Sequence, residues 1–320
     1  MSDKILISVN DLKKYFDLGG GHILKAVDGI SFDIKEGKTL GLVGESGCGK
    51  STAGKMLINL FKPTGGDIMF ENKNIHKLNK GELTNFRKNT QIIFQDPYSS
   101  LNPRMKILDI IAEGFDIFGE CKGIERQERV LNLLQTVGLE KEAAQRYPHE
   151  FSGGQRQRIG IARAISLNPK FVVCDEPISA LDVSIQAQIV NLLNKLQKDL
   201  SLTYLFISHD IKMVKLISDR IAVMYLGKIV EIGNSEEVFN NPLHPYSKIL
   251  ISAIPIANPR IEKERKRIKL NGDIPSPIDR KSACVFVNRC PHKIDICEVK
   301  EPKLSEIDET HKVACFLYNN

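Results

Sequence analysis

The sequence predicts an α/β protein with a largely parallel β-sheet, and three observations lead to that prediction. Apolar strands alternate with amphipathic helices through the middle of the chain, a pattern typical of parallel sheets. The run Gly44–Ser51 is rich in glycine and lies between a predicted strand and a predicted helix. A second apolar strand, Phe171–Cys174, leads directly into the carboxylates of Asp175 and Glu176.

The composition sets the broad class of the protein. The 320 residues are 42% hydrophobic and 26% charged, which excludes a disordered, collagen-like or bare coiled-coil chain. The length predicts about two domains. The net charge of +6 is mild and demands no nucleic-acid partner. No apolar run approaches the ~18–20 residues that span a bilayer, and the first residues lack a signal-peptide pattern, so we expect a cytoplasmic protein.

The first 100 residues are predicted to be rich in β-structure, because short apolar or alternating runs are separated by polar residues and glycine. Strands are expected over Ile5–Val9, Ala26–Ile34, Thr39–Val43 and residues 65–70. Farther along, apolar residues recur with the period of an amphipathic helix. Helices are expected over Arg126–Leu139, residues 152–168, Ser184–Leu200 and Ile211–Ser218, with strands over Phe171–Cys174 and Thr203–Ser208.

Residues 44–51, GESGCGKS, fit the phosphate-binding pattern G-x-x-x-x-G-K-[ST], the P-loop. Its glycines allow a tight turn whose N–H groups point at one phosphate, and the following helix adds its positive N-terminus. Lys50 supplies charge for the β- and γ-phosphates, and the Ser51 hydroxyl is a Mg²⁺ ligand. The predicted ATP-binding residues of this loop are Gly44, Glu45, Ser46, Gly47, Cys48, Gly49, Lys50, Ser51 and Thr52.

The two carboxylates after Phe171–Cys174 complete the predicted site. Asp175 is placed to hold Mg²⁺, and Glu176 is placed to orient or deprotonate a water near the γ-phosphate. A carboxylate pair at a strand end is a weak signal by itself, but downstream of a P-loop it predicts an ATPase.

The segment Phe151–Arg158, FSGGQRQR, lies between these two elements. It resembles the signature motif of ATP-binding-cassette (ABC) ATPases, with Phe151 where Leu is more usual. Ser152 and Gln155 also have the spacing of a capping box, so a helix is expected to begin here. The resemblance implies that two cassettes sandwich two ATP molecules, each between one P-loop and the signature of the partner, formed here by Ser152, Gly153, Gly154 and Gln155.

The other motifs of an ABC cassette follow in the expected order. The resemblance implies that Gln95 is the Q-loop glutamine, a contact of Mg²⁺ and of the water, and that Ser51, Gln95 and Asp175 hold Mg²⁺. It implies that Asp182 belongs to the D-loop and that His209 is the switch histidine at the γ-phosphate. The expected catalytic residues are therefore Glu176, His209, Lys50 and Gln95. Phe16 best matches the aromatic residue that stacks on adenine, with Tyr15 as the alternative.

A finer resemblance is carried by the segments Gln95–Arg104, Tyr147–Glu150 and Asn241–Tyr246, which resemble those of oligopeptide, dipeptide and nickel importers. The implied fold is a parallel core sheet with an antiparallel β subdomain and an inserted helical subdomain at about residues 100–165. The implied domains are an ABC nucleotide-binding domain over residues 1–240 and a C-terminal extension over residues 241–320. The basic run Arg260–Lys269 is expected to be a solvated linker.

The C-terminal extension is expected to form a small, separate, cysteine-bearing module. Cys284, Cys290, Cys297 and Cys315 could hold a [4Fe–4S] cluster or a structural Zn²⁺ ion. The tight cysteine pair of most zinc sites is missing, which favours the cluster. Members of the resembled branch carry a [4Fe–4S] cluster in this extension. The bland alternative is four unrelated buried thiols.

The resemblance implies an energy-coupling ATPase of a peptide importer, bound peripherally at the cytoplasmic face of the membrane. Its expected partners are a paralogous ATPase or a second copy of itself, two transmembrane permease subunits and, indirectly, an extracytoplasmic peptide-binding protein. The alternatives are a nickel importer ATPase and a soluble ABC ATPase of iron–sulfur assembly or translation. A nucleic-acid-binding regulator is suggested by charge alone and is not expected.

Overall fold

The computed structural model describes residues 4–254, 275–280 and 282–318. The predicted linker over residues 260–269 lies outside this part of the chain. Among the described residues, no helix combines the length and the apolar character that crossing a membrane requires.

The N-terminal part forms an antiparallel sheet of four strands over the described residues. Its order is β2-β1-β4-β5, with β1 (Ile5–Asp17), β2 (Ile23–Lys35), β4 (Gly65–Phe70) and β5 (Lys73–Asn74). The first two strands are longer than predicted, because they pair along their whole length through several register shifts, including their more polar ends. A local hydrophobic pattern cannot predict that polar strand ends will pair with each other.

The main sheet is mixed, and its described order is β11-β12-β10-β9-β3-β8-β7-β6. The central strands pair in parallel, as predicted, and the strands from β9 to β11 pair antiparallel. These strands are β3 (Thr39–Val43), β6 (Thr90–Ile93), β7 (Phe171–Asp175), β8 (Thr203–Ser208), β9 (Arg220–Tyr225), β10 (Lys228–Asn234), β11 (Ser305–Glu306) and β12 (Lys312–Val313).

Helices cover both faces of the main sheet and form an insertion between β6 and β7. They are α1 (Lys50–Leu57), α2 (Lys80–Asn89), α3 (Ile107–Phe118), α4 (Gly123–Thr136), α5 (Gly153–Ile165), α6 (Val183–Leu200), α7 (Ile211–Ile217), α8 (Ser235–Asn240), α9 (Pro245–Ser252) and α10 (Ile296–Val299). The insertion consists of α3, α4 and α5, over residues 107–165. Arg126 of α4 ties it together by ion pairs to Asp109 and Asp116 of α3, at 3.1 and 2.8 Å.

Two hydrophobic cores lie on the two sides of the main sheet. One joins the helical insertion, α6 and the C-terminal extension that follows residue 240, here called the tail. Phe115, Leu193 and Phe286 are buried in it. The other joins α1 to the antiparallel sheet, through side chains such as Met56 and Ile68. The antiparallel sheet is therefore packed beside the helix that follows the glycine-rich loop.

The C-terminal tail is built into the main sheet, whereas the sequence predicted a separate module. Strand β12 pairs with β10, and Ala314 N–H donates to the carbonyl of Val230 at 2.9 Å. The fully buried carboxylate of Glu231 accepts hydrogen bonds from the backbone of Leu243 and His244, each at 2.8 Å. Because β12 pairs with β10, the strands of the tail and the strands of the preceding residues belong to one continuous sheet. The domain boundary at residue 240 stays a prediction.

Candidate active site

The glycine-rich loop connects the end of β3 to the start of α1, as predicted. Gly49 has a φ of 107°, and a Cβ atom there would lie 2.0 Å from the carbonyl oxygen of Ala26. A Cβ on Gly44 would lie 2.1 Å from the carbonyl oxygen of Met224. Glycine is therefore required at both positions, since it lets the loop lie directly against β2 and β9.

Lys50 is buried at the start of α1 and directs its charge into the loop. Its Nζ donates to the carbonyl oxygens of Gly44 and Glu45, at 2.8 and 2.9 Å. No side chain caps the N-terminus of α1. Free N–H groups at a helix N-terminus beside a lysine are suited to bind phosphate.

Ser51 and Asp175 meet at the other side of the loop. The Ser51 hydroxyl donates to Asp175 Oδ1 at 2.6 Å. Burial raises the pKa of Asp175, and the hydrogen bond from Ser51 opposes that rise. A hydroxyl and a buried carboxylate are oxygen ligands of the kind that Mg²⁺ takes beside a bound nucleotide.

Glu176 is the centre of a second cluster. Its φ of 46° is unusual for a non-glycine residue, and its N–H donates to the carbonyl of Ile207 at 3.0 Å. Its carboxylate accepts from Gln95 Nε2 at 3.0 Å and lies 3.3 Å from His209 Nδ1. The structure therefore brings Gln95, Glu176 and His209 together, although they are far apart in the sequence.

These side chains open onto one cavity of about 690 Å³. The glycine-rich loop forms one wall, and Gln95, Glu176 and His209 form the other. The arrangement places a phosphate-binding loop opposite a carboxylate held by two polar partners. It can bind a polyphosphate and orient a water toward its last phosphate.

The predicted signature residues lie elsewhere. Ser152 caps α5, and the capping box is present: the Ser152 hydroxyl accepts from Gln155 N–H at 3.4 Å, and Gln155 Oε1 accepts from Ser152 N–H at 3.0 Å. None of residues 152–155 lines the cavity that holds Glu176, and neither does Asp182, which is the residue before α6. The predicted signature residues therefore do not border this chain's own cavity.

The two candidates for the adenine contact differ in their surroundings. The Phe16 ring packs edge-on against Phe61, with ring centroids 6.2 Å apart. The Tyr15 hydroxyl instead donates to the buried carboxylate of Asp28. The choice between them stays a prediction.

The four tail cysteines all carry free thiols. Cys284 N–H donates to the carbonyl of Cys297 at 3.0 Å. Burial raises the pKa of Cys284 to about 12, and the nearby Cys297, Cys290 and Cys315 add to the rise. Across the described residues, which include all four, no group of three or more His, Cys, Asp or Glu side chains is arranged to hold a metal ion. The predicted metal module is therefore not seen.

Two residues that contact the loop were missed by the sequence analysis. Tyr246 Oη accepts the N–H of Glu45 at 2.9 Å, and Arg289 Nη1 donates to the Glu45 carboxylate. They are 201 and 244 residues away in the chain. No local pattern marks Arg289, and the resemblance of Asn241–Tyr246 to importers gave Tyr246 no role at the loop.

Fold and site together define the class: a P-loop ATPase of the ABC type, with a helical insertion between β6 and β7. A family model described as ABC transporter matches residues 27–179, and one described as oligopeptide/dipeptide transporter, C-terminal region, matches residues 230–297. The chain belongs to the ATP-binding proteins of the oligopeptide/dipeptide ABC transporter family. The resemblance found in the sequence is thereby confirmed at this level.

Similar proteins agree with this assignment. The chain is 54% identical to the putative oligopeptide transport ATP-binding protein YkfD of Bacillus subtilis, over 98% of this chain and 96% of that protein. It is 50% identical to the oligopeptide transport ATP-binding protein AppF of the same organism, over 99% of both chains. Among solved structures, the ATP-binding cassette MJ0796, described as a dimer in a post-hydrolysis state with ADP and Pi, matches with a TM-score of 0.65 and 31% identity, over 72% of this chain and 98% of that one.

Proposed function

We propose that this chain is the ATP-hydrolysing, energy-coupling subunit of a peptide importer. One observation carries the proposal: the Gln95–Glu176–His209 cluster lines a cavity together with the first residues of the glycine-rich loop. Lys50 and the Ser51–Asp175 pair lie at the end of the same loop. The names of the relatives favour oligopeptides as the transported solute over nickel and over a soluble role.

The proposed reaction is in-line attack of water on the γ-phosphate of ATP: the water oxygen bonds to the γ-phosphorus as the bond from that phosphorus to the β–γ bridging oxygen breaks, which releases ADP and phosphate. Mg²⁺ is not a fixed part of the protein, and Ser51, Asp175 and Gln95 would hold it with the nucleotide, where it neutralises phosphate charge. Lys50 and the N–H groups of α1 bind the phosphates. Glu176 orients the water and accepts its proton, and Gln95 and His209 hold the Glu176 carboxylate in place. The positive φ of Glu176 sets the direction in which the chain leaves the end of β7, and with it the position of the Glu176 side chain.

The proposed working unit is a pair of cassettes. The signature of one chain does not line that chain's own cavity, which supports a site completed by the signature of a partner. The partner is a paralogous ATPase or a second copy of this chain. The pair acts on two transmembrane permease subunits at the cytoplasmic face of the membrane, and an extracytoplasmic protein supplies the peptide.

The test is the substitution Glu176→Gln in the purified protein. It keeps the size and the hydrogen bonds of the side chain but removes the base, so ATP turnover is expected to fall at least about 10²-fold. ATP binding, measured by titration, is expected to stay near wild type. An ATP-bound dimer is expected to accumulate and to be visible by size exclusion. Turnover close to wild type in this variant would exclude the role of Glu176.

We also propose that Cys284, Cys290, Cys297 and Cys315 hold a [4Fe–4S] cluster, with Zn²⁺ as the alternative. The support is the chemistry of four thiols and the direct backbone contact between Cys284 and Cys297. The described arrangement is not itself that of a metal site, so binding would require these segments to adjust. Anaerobic purification followed by iron, sulfide and zinc assays tests the proposal. Matched iron and sulfide that disappear in Cys297→Ser support it, and a metal-free protein rejects it.

A further inference from the structure

Glu45 places a carboxylate within the phosphate-binding loop. Its side chain is 19% exposed and lies between the active-site cavity and a second cavity of about 280 Å³. A carboxylate at this place repels the negative charges of a triphosphate, and partial burial weakens the screening by water. The loop therefore needs a compensating charge to bind an anion well.

That charge comes from the C-terminal tail. Arg289 Nη1 donates to both carboxylate oxygens of Glu45, at 3.1 and 2.9 Å, and to the hydroxyl of Tyr225 at 3.3 Å. The Arg289 side chain is only 7% exposed. Its Nε–H is buried without a hydrogen-bond partner, so Arg289 is held there by its contacts with Glu45 and Tyr225. A buried charge pair of this kind is costly to break.

A buried aromatic cluster anchors the same part of the tail behind the loop. Phe286 packs against both Tyr225 and Tyr246, with ring centroids 5.2 and 5.5 Å away, and the two tyrosine rings contact each other at 4.7 Å. Tyr246 in turn accepts the backbone N–H of Glu45 at 2.9 Å. Both the side chain and the backbone of Glu45 are thus fixed by one assembly, and Arg289 follows Phe286 in a single turn, residues 287–289.

We propose that Arg289 is a positioning residue of the ATP site, through which the C-terminal tail raises the affinity of this chain for nucleoside triphosphates. Arg289 neutralises the Glu45 carboxylate within the loop, while Tyr246 holds the Glu45 backbone. The inference rests on the proposed function, in that the loop binds ATP. It extends that function, because it makes the tail part of the nucleotide site rather than an appendage to the cassette.

The experiment compares nucleotide binding by the full-length protein and Arg289→Gln, with a non-hydrolysable ATP analogue as the probe. The variant leaves Glu45 unneutralised, so the Kd is expected to rise at least about tenfold. The KM of the ATPase reaction is expected to rise with it, while kcat stays within about twofold, because ground-state and transition-state binding are weakened equally. Glu306→Gln is the matched control: it removes an exposed tail ion pair to Lys312 at the β11–β12 edge of the main sheet, away from β3 and the loop that follows it, and its Kd is expected to match wild type.

A double variant separates positioning from general stability. Glu45→Gln with Arg289→Gln removes both charges, so the Kd is expected to return close to wild type, and Arg289→Lys is expected to be intermediate. The inference is overturned if Arg289→Gln binds the analogue as wild type does, or if the double variant is as weak as the single one. A lower unfolding midpoint with an unchanged Kd also overturns it. If the wild-type protein fails to bind the analogue at all, the proposed ATPase function fails instead.

Discussion

Single residues in the phosphate-binding loop are constrained by the backbone as tightly as by their chemistry. Gly44 and Gly49 lie against the carbonyl oxygens of Met224 and Ala26, and any side chain at either position would collide with them. The loop is held between two strands from different sheets. Its shape is therefore fixed before a nucleotide arrives, which is the arrangement that favours binding.

The substitution Gly49→Ala is predicted to damage both stability and function. Its Cβ would overlap a backbone oxygen that cannot move without shifting β2, and φ is 107°. The free energy of unfolding, measured with urea, is expected to fall by more than about 2 kcal/mol, and ATP binding is expected to be lost.

Gly37→Ala is the matched control for that prediction. Gly37 also has a positive φ, 72°, but nothing lies within 4 Å of its Cβ position. Only the backbone cost of about 1 kcal/mol is expected, with normal ATP binding. Equal losses in the two variants would show that backbone strain, and not the contact with Ala26, decides the effect.

Among the elements, α5 illustrates how one motif serves both folding and function. Its capping box and that of α2 are built alike, from Ser152 with Gln155 and from Asn79 with Glu82. Ser152→Ala and Asn79→Ala are each predicted to cost about 0.5–2 kcal/mol of stability. Only Ser152→Ala is expected to reduce ATP turnover as well, because the proposed signature begins there. Equal turnover in the two variants would argue against Ser152 as a signature residue.

The junction of β10 with the tail predicts a pH dependence. His311 Nε2 lies 2.7 Å from the buried carboxylate of Glu231, and this hydrogen bond raises the pKa of His311 above 6.5, with Glu231, Asp308 and Glu237 adding attraction. A raised pKa in the folded state means that the pair stabilises the protein fully below pH 6.5 and is lost as the pH rises through the folded value.

The measurement for this junction is urea unfolding across the pH range above 6.5. The difference in unfolding free energy between wild type and His311→Gln is predicted to be largest at the acid end and to shrink as the pH rises. A difference that grows with pH would contradict the assigned pairing.

Much of the fold could be predicted from local patterns, but contacts across the chain could not. Strands β3 and β8 coincide with the predicted runs, because short apolar segments bounded by polar residues are typical of buried parallel strands. Helix α2 was missed, although the spacing of Asn79 and Glu82 is itself a helix-start signal. Helix α3 and the hairpin of β9 and β10 were missed as well.

The active-site predictions divide in the same way. The P-loop is a contiguous motif, and its residues lie where the pattern places them. The pairing of Glu45 with Arg289, and of β12 with β10, depends on the topology of the whole chain. The tail was expected to be a separate module because it is rich in cysteine and is preceded by several prolines. That expectation failed because hydrogen bonding to a distant strand leaves no trace in the composition.

At the scale of the whole molecule, one chain is proposed to supply only part of each complete ATP site, and a partner cassette supplies the rest. One chain offers a phosphate-binding loop and, at the start of α5, the residues proposed as the signature, and those residues do not line its own cavity. The tail extends the main sheet through β12 and contacts the loop through Arg289, so the tail and the loop are physically connected. Membership of the oligopeptide/dipeptide transporter family accounts for why such a cassette would be built to close on a partner.

The central claim is that ATP hydrolysis, with Glu176 as the base, drives peptide import. Its most direct test uses the intact transporter, purified through a tag on this chain and reconstituted in proteoliposomes. Uptake of a labelled oligopeptide is measured with and without ATP, for wild type and for Glu176→Gln. Uptake is predicted to require ATP and to fall with turnover, at least about 10²-fold, in the variant. Two results would contradict the claim that ATP hydrolysis by this chain drives peptide import: oligopeptide uptake that persists in Glu176→Gln, or ATP hydrolysis without any oligopeptide uptake in the wild type.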